Sequence, residues 1–312
     1  MQEFKKITVF TPTYNRGYII EQLYAALLRQ SCMDFEWLVV DDGSSDNTAE
    51  LFADWVARDN PFSIRYYQKE NGGKHRAINE GARLAWGELF FIVDSDDYVT
   101  DDAVDTILRQ VYSIPDLVRE NLAGICNLRG CPNGAVLGTT FEGEYLDCTS
   151  LERRKFGIDG DKAEVFFTDV LRKYPFPEFK GEKFVTEAVV WDAMAMDGYL
   201  LRYYNKVTYI CEYLDDGLTK MGLELYYRNP LGYAHYLRQC RKNGKFEKNV
   251  QNYFAVECYL HWRTEMGLRK VAQLLDVNPV SLQIRTLCYQ VRQTLGKWKR
   301  TAIGAVQKVM GK

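Results

Sequence analysis

Short apolar runs and helix-spaced apolar positions take turns along the first third of the chain. Ile7-Thr8-Val9-Phe10 is a β-rich run that stops at Thr11-Pro12-Thr13, where Pro12 suits a strand end. Ile20, Leu23, Leu27 and Leu28 recur at helical spacing and predict a helix over 19–29. The run 36–40 predicts a strand leading into Asp41-Asp42-Gly43-Ser44, then a helix over 48–57 and a strand over 64–67. A third helix is expected over 75–86, with Ile78, Ala82 and Ala85 or Trp86 on one face. Leu89-Phe90-Phe91-Ile92-Val93 is apolar without a break, as in a strand buried on both faces, and it stops at Asp94-Ser95-Asp96-Asp97.

This order predicts an α/β fold: a Rossmann-like, mostly parallel sheet with right-handed crossovers, flanked by helices. Ligands of such sheets bind beyond the carboxyl ends of the strands. Polar clusters sit at those ends, at 11–16, 41–44 and 94–97. Past about residue 115 the pattern loosens. Glycine, proline and aromatic residues over 124–185 predict mixed strands and loops, followed by a helix over 187–196. From Leu223 onward the spacing is helical. Three parts result: 1–115, 116–222 and a helical extension, 223–312.

Composition narrows the function. The 312 residues carry a net charge of -2, so no overall field draws in nucleic acid. Eight cysteines lack any C-x-x-C pair, and with three histidines there is no zinc spacing. Such scatter fits reduced thiols. The N-terminus lacks the apolar core of a signal peptide, and no run reaches 18 apolar residues, so the cytoplasm is the expected location.

The strand-end clusters carry candidate chemistry. Asp94 and Asp96, one residue apart, can hold a divalent cation such as Mg²⁺ or Mn²⁺ with hard oxygen ligands, completed by substrate phosphates; the plain alternative is a capping turn before a helix near Asp101. Asp41 or Asp42 can accept from a ribose hydroxyl or a base N–H, or can simply make an Asp-Gly turn. Asn71-Gly72-Gly73-Lys74-His75 opens a helix, where paired glycines let the backbone approach an anion and Lys74 adds positive charge; otherwise it is a loop with a solvated lysine. Thr186 is a plausible N-cap that places Glu187 in a first helical turn, where the helix dipole favours the ionised carboxylate a general base needs. The alternative is a glutamate that only decorates the helix start.

TPTYNR at 11–16, DDGSSDNT at 41–48, NGGKHRAINEG at 71–81, DSDD at 94–97 and GEKFVTEAVVW at 181–191 occur in this order. As an ordered set, the chain resembles family 2 glycosyltransferases of the GT-A fold. The resemblance implies transfer with inversion from a nucleoside-diphosphate sugar, UDP by family habit, to a glycan or lipid-linked hydroxyl, as in cell-surface polysaccharide synthesis. It implies that residues 1–115 bind the donor and 116–222 the acceptor. Thr11, Tyr14 and Asp41 or Asp42 would hold the nucleoside, with Pro12, Thr13, Arg16 and Ser95 in the same donor-facing segments. Lys74 would lie near the donor, Asp94 would touch its sugar or ribose, and Asp96 would ligate Mn²⁺ or Mg²⁺. Glu187 would be the base, with Glu182 second, because the usual Glu-Asp pair is here Thr186-Glu187. The Q-x-x-R-W motif of processive synthases is absent, so a single addition per encounter is expected.

Rivals remain. A pyrophosphorylase or dinucleotide-dependent oxidoreductase shares the strand-helix start, but no Gly-rich phosphate loop follows the first strand. An inactive sugar-nucleotide-binding or scaffolding relative would not need the intact Asp94, Asp96 and Glu187. At the C-terminus, Ile284, Leu287, Cys288, Val291, Leu295, Trp298, Ala302, Val306 and Val309 form a helical stripe. Arg285, Arg292, Lys297, Lys299, Arg300, Lys308 and Lys312 accompany it, and no acidic residue follows Asp276. This pattern suits a helix lying on an anionic membrane at the inner face of the cell. It also suits a helix packing its stripe on the body or on a second subunit.

Overall fold

The computed structural model describes residues 6–212 and 221–309, with only the helical backbone described from 295 on. The chain divides into two units, Met1–Gly222 and Leu223–Lys312.

The first unit starts as the hydrophobic pattern requires. It runs β1 (Ile7–Thr13), α1 (Glu21–Leu28), β2 (Phe35–Asp41), α2 (Thr48–Ala57), β3 (Ser63–Gln68), α3 (Lys74–Leu84) and β4 (Leu89–Ile92). β1 and β2 are buried along their whole length and β3 is only half-buried, as befits an edge. β1 pairs in parallel with β2 and β4, and β2 with β3. There follow β5 (Tyr98–Val99), α4 (Ala103–Tyr112), α5 (Asp116–Arg119), β6 (Leu122–Gly130), β7 (Val136–Leu137), β8 (Tyr145–Cys148), β9 (Lys162–Phe167), α6 (Thr168–Leu171), α7 (Ala188–Met196) and β10 (Leu200–Ile210). The sheet order is β3-β2-β1-β4-β9-β6-β10-β5, with β7 beside β6 and β8 beside β10.

Beyond β4 the expected parallel pattern turns mixed. β9 is antiparallel to both β4 and β6. No α-helix carries the chain back between β6 and β9, and without such a crossover a returning strand runs the opposite way. α3 also departs from its expected span. It begins at Lys74 and stops at Leu84, because Ala85 turns extended and the Trp86 N–H donates to the Glu36 carboxylate at 2.6 Å.

Packing explains the register. Tyr24, Trp37, Phe52 and Trp55 stack between the sheet and helices α1 and α2, with ring centroids 4.5 to 6.0 Å apart. Near the amino end of β2, buried Glu36 accepts from the Thr8 hydroxyl at 2.6 Å and pairs with Arg65 at 2.7 Å, which ties β1, β2 and β3 together. On α3, Gly81 has no alternative: a Cβ there would lie 2.1 Å from the Phe10 ring.

The second unit is helical, as expected from Leu223 on: α8 (Leu223–Tyr227), α9 (Pro230–Lys242), α10 (Lys248–Leu275) and α11 (Pro279–Val309). Its core gathers Tyr233, Leu237, Val256, Trp262, Val271, Leu275 and Leu282. α10 breaks at Gly267, which takes φ 70. No described helix is long and apolar enough to cross a membrane. No disulfide joins any of the eight cysteines.

Candidate active site

The carboxyl ends of β1, β2 and β4 open on one edge of the sheet, and the loops there are knitted by side chains. The Asn15 N–H donates to Ser44 Oγ at 2.8 Å, and the Ser45 N–H donates to Asn15 Oδ1 at 2.8 Å. Asn15 holds φ 52 for this purpose, a region that asparagine tolerates better than most residues. The 11–16 and 41–48 segments therefore form one rigid rim.

Both aspartates of the 41–42 pair are engaged within the chain. Asp41 Oδ1 accepts from the Ser44 N–H at 2.8 Å and its hydroxyl at 2.6 Å, and Oδ2 accepts from the Tyr66 hydroxyl. Asp42 accepts from Lys69 Nζ at 2.7 Å, the Gly72 N–H at 2.9 Å and the Gly73 N–H at 2.6 Å. The anion at the start of α3 is thus the protein's own carboxylate. Thr11 is also spoken for: it is buried, and its Oγ1 accepts from Trp37 Nε1 at 3.0 Å. Pro12, Thr13 and Ser95 are buried too, whereas Tyr14 is exposed.

Asp42 holds the Gly-Gly turn, and the turn delivers Lys74. Gly73 takes φ 98, and a Cβ on it would sit 1.8 Å from the Lys183 carbonyl oxygen, so α3 starts hard against the 181–187 loop. Arg76 fastens the contact by donating to the carbonyls of Glu182 at 2.6 Å and Phe179 at 2.7 Å. Lys74 Nζ then lies 2.6 Å from Asp94 Oδ1 and 2.8 Å from Glu187 Oε1. Burial opposes the lysine charge, but the two carboxylates outweigh it and hold the amine above its usual range. Glu187 is the N-cap residue of α7 rather than a residue of its first turn, and its side chain caps nothing. Glu182, the alternative base, is buried.

The 94–97 turn concentrates negative charge. Asp94 remains below the usual carboxylate range: burial works against that, but Lys74, Arg129 and Arg16 prevail. Burial and the Asp94 charge push Asp96 up, with Arg16 standing 3.7 Å away. Burial and Asp94 push Asp97 to about 7, although the Tyr209 hydroxyl donates to it at 2.7 Å. The Asp94 N–H in turn donates to Tyr209 at 3.0 Å, so β10 holds the turn in place.

Arg129, Glu164 and Tyr209 lie beside these groups and carry no sequence signal. The Arg129 guanidinium stands 4.3 Å over the Tyr209 ring, donates to the Lys162 carbonyl at 2.8 Å and lies 3.7 Å from Glu164. Burial, and then Glu187 against the pull of Arg129, leaves Glu164 at about 7. These residues sit on β6, β9 and β10, which meet only through the mixed half of the sheet.

Known proteins resemble the chain in sequence and in fold. Residues 8–118 match the sequence profile of Glycosyl transferase family 2. The chain is similar to glycosyltransferase GlyG of Streptococcus pneumoniae serotype 4, with 36% identity over 105 residues, 34% of this chain and 35% of GlyG. Similarity to the putative glycosyltransferase EpsH of Bacillus subtilis is lower, 22%, but covers 89% of this chain and 83% of that one. The chain spans 35%, 27% and 21% of GlyG, EpsJ and GlyA, three of its curated relatives. Among solved structures, S. aureus TarS 1-349 in complex with UDP-GlcNAc superposes with TM-score 0.58 at 20% identity, over 83% of this chain and 73% of that one. Mannosyltransferase PcManGT from Pyrobaculum calidifontis, in complex with GDP-Man and Mn²⁺, gives 0.52 at 18%, over 100% and 89%. These likenesses establish the GT-A fold. Within that fold, residues 8–118 carry the likeness to glycosyl transferase family 2.

Proposed function

We propose that this chain is an inverting glycosyltransferase acting in cell-surface polysaccharide synthesis at the cytoplasmic side. It moves one sugar per encounter from a nucleoside-diphosphate donor, UDP first among the nucleotides to test, to a hydroxyl of a glycan or lipid-linked acceptor. The observation that carries this function is the Lys74 ammonium, held 2.6 Å from Asp94 and 2.8 Å from Glu187. A donor-side carboxylate and a helix-start carboxylate from distant parts of the chain thereby share one polar point. Residues 1–115 serve as the donor half and 116–222 as the acceptor half.

A divalent cation, Mn²⁺ or Mg²⁺, belongs to this function. Burial and Asp94 raise both Asp96 and Asp97, a surplus of negative charge that a hard cation would relieve. Among the described residues no three acidic, histidine or cysteine groups converge to hold a metal unaided. That fits an ion held by Asp96, with Asp94 adjacent, and completed by donor phosphates. When bound, the ion offsets charge on the departing diphosphate.

The chain's own groups do the rest. Glu187 takes the proton of the acceptor hydroxyl. That oxygen bonds to the anomeric carbon from the face opposite the diphosphate, and the sugar–phosphate bond breaks with its electrons passing to the diphosphate. Lys74 holds Asp94 and Glu187 in register, while Tyr14 and Arg16 reach the donor from the rim. Thr11, Thr13, Asp41 and Asp42 act from beneath, as the floor that shapes the nucleoside pocket. A thermal-shift panel of UDP- and GDP-sugars with and without Mn²⁺ tests this. A rise in melting temperature with a particular donor, dependent on Mn²⁺, is expected. The absence of any donor-dependent rise would contradict it.

A further inference from the structure

α11 carries apolar residues on two faces, and its own chain uses only one. Leu282 and Thr286 are buried, and Tyr289 packs against the core of the second unit. The Arg285 guanidinium donates to Asn252 Oδ1 on α10. On the other face, Val280, Ile284, Leu287 and Val291 are each more than half exposed. At about 100° per residue, these positions fall within an arc of about 60°, roughly opposite 282, 286 and 289. Packing therefore turns the apolar stripe away from the unit's core. Over the described residues the stripe is exposed.

Charge identifies what covers it. Arg292 is exposed beside the stripe. The sequence carries the stripe on through Leu295, Trp298, Ala302, Val306 and Val309, and places Lys299 on the flank of Arg292 and Lys297 and Lys308 on the other. No acidic residue follows Asp276. A second copy of the helix would bring basic flanks together, whereas paired helices need opposite charges beside the seam. An apolar face between two basic flanks instead matches a surface that is oily within and anionic at its rim. We propose that α11 docks, lying in the plane of the surface, on a bilayer containing anionic lipid. This docking stands apart from the catalytic function, and its test reads no activity.

The test is co-sedimentation of the full chain with phosphatidylcholine vesicles, with and without phosphatidylglycerol. One variant combines Ile284→Ser, Leu287→Ser and Val291→Ser. A second combines Arg292→Glu, Lys297→Glu and Lys299→Glu. The native chain should bind only the phosphatidylglycerol vesicles. Binding should weaken in 1 M salt, where the Debye length falls to about 3 Å. The apolar variant should lose about a hundredfold in partition coefficient. The charge variant should lose at least as much, given about fivefold per basic residue near such a surface. Both should keep the native circular dichroism and melting temperature, because the altered apolar positions are exposed. A native chain that ignores anionic vesicles would overturn the proposal, as would variants that bind as well as it does. So would ultracentrifugation showing a native dimer that the serine variant dissolves, which would make a second copy the occupant.

Discussion

Lys74 is the residue on which the site turns, because removing either of its carboxylate partners changes a different function. Glu187→Gln keeps the shape and deletes the carboxylate proposed as the base. It is expected to lower kcat by about 10²–10⁴-fold and leave donor KM within a few-fold, as steady-state kinetics will read. An unchanged kcat would remove Glu187 from the reaction. His75, the next residue, governs stability instead. It is buried, and neither ring nitrogen has a hydrogen-bond partner. Burial, and then Arg76, lowers it from 6.5 to about 4, so the folded ring is neutral where the unfolded one charges. Its contribution is complete above pH 6.5 and drains away as the pH falls toward 4. Between pH 7.5 and 4.5, urea unfolding should show the native chain losing about 2–3 kcal/mol more than His75→Leu. Parallel losses would refute a buried neutral ring.

The turn from Asn71 to Lys74 is an element with little freedom. Gly73→Ala would combine a positive φ with a Cβ 1.8 Å from the Lys183 carbonyl, so α3 and the 181–187 loop must separate. Differential scanning calorimetry should show a loss of more than about 1 kcal/mol, and turnover should fall with it because Lys74 is displaced from Glu187. Native stability and turnover would mean the loop adapts. This turn was legible in the sequence, since paired glycines before a helix advertise close backbone approach. The 89–93 run ending in Asp94 was equally legible, because a doubly buried strand has to stop at charge. Thr11 was not: in a strand buried along its whole length, alternation does not distinguish a face toward Trp37 from one toward a ligand. Arg129 and Glu164 were hidden for another reason. They meet through the antiparallel pairing of β6 with β9, and long-range pairing leaves no local periodicity.

At the scale of the whole molecule, the parallel half of the sheet supplies the strand-end carboxylates. The mixed half brings Arg129, Glu164 and Tyr209 against them. The helical second unit carries an exposed apolar stripe that helical spacing revealed but could not orient; its direction follows from the burial of Leu282 and Thr286 on the opposite face. The central claim is that the two halves of the sheet together carry out the proposed metal-dependent transfer from a nucleotide sugar. Release of nucleoside diphosphate by the native chain and by Asp96→Ala, from the donor that raises the melting temperature, with Mn²⁺ and with EDTA, tests it most directly. A metal that stabilises a leaving group contributes several kcal/mol, so the account predicts a fall of about a thousandfold or more in Asp96→Ala and a comparable loss in EDTA. Full release in the variant, or undiminished release in EDTA, would contradict it.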